Sequence, residues 1–233
     1  MNSREDSDLQ TNVSELPFEL LEKNRPQQKR AIKTYETILE SAAQLLEEIG
    51  VERISTNLIA ERAGITVPAL YRYFPNKYAL LYALGARLMD RQNEILSAWF
   101  QKALDGAIPL TDSDHTYQLL HDTMRVTEQQ TAGLAILRAM RALPLLQEAR
   151  LQSHYAMTDW ISQQIKAVLG FEVPEHTIQK VRLLMEVGTS VVEMAMEDPQ
   201  MPSELALREG AKIQTLYAME IFSDLTPEPP QDQ

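Results

Sequence analysis

The chain has 233 residues, 44% of them apolar, which suffices for a sizeable buried core in one large or two modest domains and is too apolar for a disordered polymer. It has no cysteine, which excludes disulfides, thiolate nucleophiles and thiolate metal sites and fits a cytoplasmic protein. No apolar run approaches the roughly 20 residues that span a bilayer, so no membrane partner is expected. A net charge of −11 argues against a generic polyanion binder, but the charge is uneven. Residues 1–22 hold one basic and six acidic side chains, residues 23–77 nine basic and six acidic, and residues 78–233 twelve basic and 21 acidic. One basic segment therefore sits within an acidic chain, and phosphate binding needs only local positive charge.

The acidic, polar stretch Met1 to Gln10 is unlike a secretory signal, and residues 1–28 read as a tail without sustained period. From Lys29 the pattern is helical. Ile32, Tyr35, Leu39, Ala42, Leu46 and Ile49 recur at spacings of three and four, and Gly50 is expected to end that helix. Two short helices follow, about 56–63 and 67–73, with Gly64-Ile65-Thr66 between them. A long helix is predicted from Asn76 to about Leu104, then helices at roughly 114–130, 132–142, 144–169, 174–197 and 203–222. Gly106, Pro109, Gly133, Pro144, Gly170, Pro174 and the cluster around Pro199 and Pro202 punctuate them. Residues 227–233 read as a polar, proline-rich tail. Alternation of period two is absent, so the fold class is all-α: a three-helix helix-turn-helix domain over 29–75 and a larger helical bundle over 76–226.

The stretch Ser55 to Lys77 carries the chemistry. Thr56 is suited to cap one short helix and Thr66 the next. Gly64 supplies the tight turn that joins two helices at a steep angle. Pro68 falls in a first turn, where the missing N–H costs nothing. Leu70 and Phe74, four apart, share a core face, leaving Val67, Pro68, Ala69, Tyr71, Arg72 and Tyr73 partly or wholly outward. Two tyrosines and an arginine on an outer face suit a groove-reading helix. Lys77 lies in the first turn of the next helix, where the macrodipole disfavours a cation unless a phosphate docks there.

These residues resemble the tetracycline-repressor (TetR) family of regulators. The matching positions are Thr56, Ile59-Ala60, Ala63-Gly64-Ile65, Leu70-Tyr71-Arg72-Tyr73-Phe74, Asn76-Lys77 and Leu80-Leu81, with Ile38, Ala42, Ala43, Leu46 and Gly50 before them. The resemblance covers roughly residues 30–90. It implies that Thr56 and Asn57 meet a DNA backbone, that Val67, Pro68 and Ala69 approach bases, and that Tyr71 and Lys77 hold phosphates. Tyr73 would lie near backbone or base, with Arg72 on the same surface and Thr66 as the cap of the recognition helix. Val67 is apolar where some relatives carry a polar base reader, so its contact would be to a thymine methyl. The basic stretch 23–33 fits either a DNA-backbone arm or a solvated lead-in to the first helix.

Beyond about residue 90 no motif is found. The resemblance implies a cavity for a small-molecule effector and a homodimer through the last two long helices, reading a palindromic double-stranded operator. The stripes Ile178, Val181, Leu184, Met185, Gly188, Val191, Val192, Ala195 and Leu205, Ala206, Ile213, Leu216, Tyr217, Ile221 fit helix pairing, within one chain or between two. Candidate effector contacts are Tyr117, His121, Met124, Met140, His154, Met157, Trp160 and Met185, all equally usable as core. His115, His121, His154 and His176 lack metal-ligand spacing, and no enzyme motif is found, so no metal, cofactor or catalysis is expected. The favoured function is a repressor released by an effector. The alternative is a DNA-bound helical scaffold that recruits a protein partner.

Overall fold

The computed structural model describes residues 26–225, and most of the two expected tails lies outside them. Among the described residues there are nine α-helices and no strand, as the absence of period-two patterning requires. In chain order they are α1 (Lys29–Arg53), α2 (Thr56–Arg62), α3 (Val67–Leu70), α4 (Lys77–Leu104), α5 (Ser113–Gln129), α6 (Gly133–Ala142), α7 (Pro144–Leu169), α8 (Glu175–Glu197) and α9 (Ser203–Leu225). No helix among the described residues is long and apolar enough to cross a membrane.

The expected break at Gly50 is present, at φ 74°, ψ 169°, although a further turn follows it and carries the chain to Arg53. Two local expectations are corrected. Helix α2 is capped by Ser55, not Thr56: the Ser55 hydroxyl accepts from the Leu58 amide at 3.3 Å, which places Thr56 in the first turn. Regular α-helix in the second short element ends at Leu70. Residues 71–73 continue as a tighter turn, with Arg72 N–H bonded to Ala69 O and Tyr73 N–H to Leu70 O. Thr66 caps α3 as expected, accepting from the Ala69 amide at 3.4 Å.

The chain folds as two compact units. The first holds described residues 26–91 and 126–153. Its core joins Ile38, Leu39 and Ala42 of α1, Ile59 and Ala60 of α2, Leu70 and Phe74, Leu80, Leu84 and Leu88 of α4, and Ile136 and Met140 of α6. Each large side chain removed from water here contributes about 1.5–3 kcal/mol. Arg87 donates to both carboxylate oxygens of Glu36 at 2.7 and 2.8 Å, fixing α4 against α1.

The second unit holds residues 92–125 and the described part of 154–233. Here α8 and α9 pack antiparallel at close range. A Cβ on Gly210 would lie 2.4 Å from a Val191 methyl, and one on Gly188 would lie 2.5 Å from the Gln214 amide nitrogen. Gly210 therefore has no room for a side chain beside the stiff Val191, whereas at Gly188 the end of the Gln214 side chain would have to move. Gln214 uses that nitrogen to donate to Leu184 O at 3.0 Å, and Lys180 donates to Asp224 at 2.6 Å near the other end of the pair.

Candidate nucleic-acid interface

The α2–turn–α3 element is set by a few residues. Gly64 takes φ 65°, a left-handed conformation that closes α2 and turns the chain into Thr66. Leu70 and Phe74 are fully buried and anchor the second half of the element. Tyr35 of α1 stacks on Phe74 with ring centroids 5.2 Å apart and meets Tyr73 edge-on at 6.2 Å. Tyr73 is therefore half-buried against the core, which limits it to its outer edge for any contact beyond the protein.

The remaining residues of the element face outward to differing degrees. Pro68, Tyr71, Arg72 and Asn57 are exposed, whereas Val67, Ala69 and Thr56 are half-buried. The Tyr71 and Thr56 hydroxyls share a hydrogen bond of 3.1 Å, joining the end of α3 to the first turn of α2. On the far side of α2, Arg62 makes a bidentate pair with Glu48 at 2.5 and 2.6 Å. That pairing holds the Glu48 carboxyl below its usual range and raises the guanidinium.

Lys77 is engaged in a way that the sequence did not disclose. Its ammonium donates to Val51 O and Ile54 O, each at 3.2 Å, satisfying carbonyls where α1 ends. The helix α4 itself is capped by Asn76, whose side-chain oxygen accepts from the Ala79 amide at 2.9 Å. A lysine has three N–H donors, so one remains after both carbonyls are served. The structure thus supplies an intramolecular reason for a cation at this helix start.

The eight candidate effector residues do not form one group. Met140 stands apart, fully buried in the core of the first unit, and a Cβ added to Gly85 would meet its sulfur at 2.9 Å. Tyr117, His121 and Met124 share α5: the first two rings stack at 5.9 Å, and Tyr117 donates to Glu204 of α9 at 2.6 Å. Arg208 lies over the Tyr117 ring at 4.4 Å and donates to the other Glu204 oxygen at 2.6 Å. His154, Met157, Trp160 and Met185 form a third group. His154, buried, pairs through Nδ1 with Glu186 at 3.0 Å, Trp160 meets Phe100 edge-on at 5.9 Å, and Thr158 bonds the Met185 sulfur at 3.4 Å. Among the described residues no group of three or more His, Cys, Asp or Glu is arranged to hold a metal.

A helix pair joined by a glycine turn, braced by a third helix and presenting tyrosine and arginine outward, defines a helix-turn-helix protein of all-α architecture. Residues 38–84 match the family model described as "Bacterial regulatory proteins, tetR family". That stretch of the chain carries the family's domain. Over 53 residues it is 45% identical to the Tetracycline repressor protein class A from transposon 1721 of Escherichia coli, covering 23% of this chain and 24% of that one. The chain thus matches about a quarter of the length of such repressors. A longer match, 27% identical over 187 residues, covers 76% of this chain and 90% of the Nucleoid occlusion factor SlmA of Shewanella amazonensis. Among solved structures, the SmeT–triclosan complex shares the fold with a TM-score of 0.54, at 20% identity, over 86% of this chain and 100% of that chain.

Proposed function

We propose that this chain is a dimeric, sequence-specific DNA-binding transcriptional regulator, a repressor released from a palindromic operator when a small-molecule effector binds. The observation that carries the proposal is the sidedness of the α3 element. Leu70 and Phe74 are wholly buried while Pro68, Tyr71 and Arg72 face outward beside Asn57. In this reading Val67, Pro68 and Ala69 meet base edges. Thr56, Asn57, Tyr71 and Arg72 meet sugar-phosphate, Tyr73 contributes its outer edge, and Thr66 fixes the start of α3. The third donor and the charge of Lys77 serve a phosphate.

Dimerisation is assigned to α8 and α9. Leu183 and Met194 on α8 and Leu205, Ile213, Leu216 and Met219 on α9 are all between 43% and 68% exposed in the single chain. A stripe of large apolar side chains left in water on two adjacent helices is what a second copy would cover. Two recognition elements about 34–36 Å apart then read two half-sites. The effector is assigned to the second unit, with His154, Met157, Trp160 and Met185 favoured as its binding residues over Tyr117, His121 and Met124. The triclosan complex of the structural neighbour supports a ligand-binding function for this fold. An effector acts only through its different affinity for the DNA-competent and incompetent states.

Selection of bound sequences from a random duplex pool with purified full-length chain tests the proposal. A palindromic consensus supports it, and recovery of no enriched sequence refutes it. The long match to a nucleoid occlusion factor favours a second reading, in which the DNA-bound chain acts by recruiting a protein partner. Release of the selected duplex by small molecules favours the repressor. A stable protein partner with no ligand-dependent release favours the scaffold.

A further inference from the structure

The outward surface of α3 has an unusual chemical make-up for a base reader. Pro68 is at its crest, with Val67 and Ala69 on the shoulders, and none of the three has a polar side-chain atom. Three of the hydroxyls around them already have partners within the chain. Thr66 Oγ1 accepts from the Ala69 amide, and the Tyr71 hydroxyl is bonded to Thr56. Arg72, also exposed, lies four residues beyond Pro68 and marks where the apolar surface ends.

A base edge in the major groove offers hydrogen-bond donors and acceptors, and one apolar group, the C5-methyl of thymine. An apolar surface pressed against donors and acceptors removes them from water without replacement, which is unfavourable. Against a methyl group the same packing is favourable. We infer that Val67, Pro68 and Ala69 are specificity-determining residues that read thymine C5-methyl groups, so that the half-site of this chain is selected by methyl position at the base pairs facing the first turn of α3. This inference rests on the DNA-binding reading above and deepens it.

The test uses the duplex selected by the full-length chain, prepared once with thymine and once with uracil at every thymine. Uracil keeps every hydrogen-bonding group and lacks only the methyl. Removing one buried methyl from the interface should weaken binding roughly four-fold, and removing one from each half-site roughly sixteen-fold. Pro68→Ala, at an exposed position where an alanine can keep the helical backbone, should bring the thymine-to-uracil affinity ratio toward one. Val67→Ala should narrow it as well, with thermal melting confirming an intact fold. Failure to enrich any sequence overturns the regulator reading and this inference together. A consensus whose thymines can all become uracil within two-fold overturns the inference alone, as does a ratio unchanged in both variants.

Discussion

The hydroxyls of Tyr71 and Thr56 lie 3.1 Å apart, so the end of the recognition element is tied to the first turn of the helix that precedes it. Both groups lie near the surface, where one hydrogen bond contributes no more than about 1 kcal/mol to folding. Tyr71→Phe should therefore shift the melting temperature by only about 2–4 °C. Its effect on the selected duplex should be larger, because in the proposed interface the one hydroxyl hydrogen left over from the shared bond donates to a phosphate oxygen. Thr56→Val should behave alike, and the double variant should be little worse than either alone, since both remove one shared hydrogen bond. Duplex titrations that leave Tyr71→Phe equal to the parent chain would take Tyr71 out of the interface.

Lys77 makes a different prediction because it has two duties. Loss of its donors to Val51 O and Ile54 O leaves two helix-end carbonyls without a partner, and Lys77→Ala should destabilise the chain by about 1–3 kcal/mol. If its charge also neutralises one phosphate per subunit, the slope of log affinity against log salt should flatten by about 2 in the dimer. The expected outcome is both effects together. A lower melting temperature with an unchanged slope would confine Lys77 to holding α1 against α4.

The contrast between those two residues shows what the sequence made legible. Periodicity located every helix to within a few residues, because the apolar stripe of each amphipathic helix is local. The sidedness of α3 was legible too, since Leu70 and Phe74 are only one turn apart. What escaped were interactions across long separations. Nothing near Lys77 in sequence says that Val51 and Ile54 carbonyls, 26 and 23 residues earlier, need a donor. The capping of α2 was misassigned between Ser55 and Thr56 because both are good caps and the choice depends on where Ile54 is buried. Met140 shares the chemistry of Met157 and Met185, yet the packing of α6 onto α1 places it in the other unit's core, which no local pattern encodes.

The pair Tyr117 and Glu204 should make stability pH-dependent at both extremes. The Tyr117 hydroxyl, first, and then Arg208 hold the Glu204 carboxyl below its ordinary value of 4.5. A carboxylate lowered in the folded chain contributes stability above that ordinary value and loses it as pH falls through the lowered one. The same bond to Glu204 raises Tyr117 above its ordinary 10.0, so its contribution is complete below pH 10.0 and fades as pH rises through the raised value. Thermal melts of Tyr117→Phe and the parent chain should therefore differ by a constant amount from about pH 5 to 9. The gap should close at both ends, below 4.5 and above 10.0. A gap that persists undiminished at about pH 3 would mean that Glu204 does not depend on Tyr117.

The dimer can be separated from the fold because its proposed residues are exposed in the single chain. Leu216 and Ile213 on α9 are 68% and 59% exposed, so Leu216→Glu and Ile213→Glu place a charge where water already is and should leave the subunit's core intact. Against a second copy the same charge would be buried without a partner, which an interface tolerates poorly. Sedimentation should show each variant as a monomer at concentrations where the parent chain is dimeric. A monomer has one recognition element and forfeits the effective concentration that links two half-sites, so affinity for the palindrome should fall by about 10² or more. Affinity for a single half-site should change little, because Tyr71, Arg72 and Pro68 are untouched. Variants that remain dimeric would move the interface away from α9. Variants that become monomeric yet bind the palindrome as tightly as the parent chain would remove the link between dimerisation and operator choice.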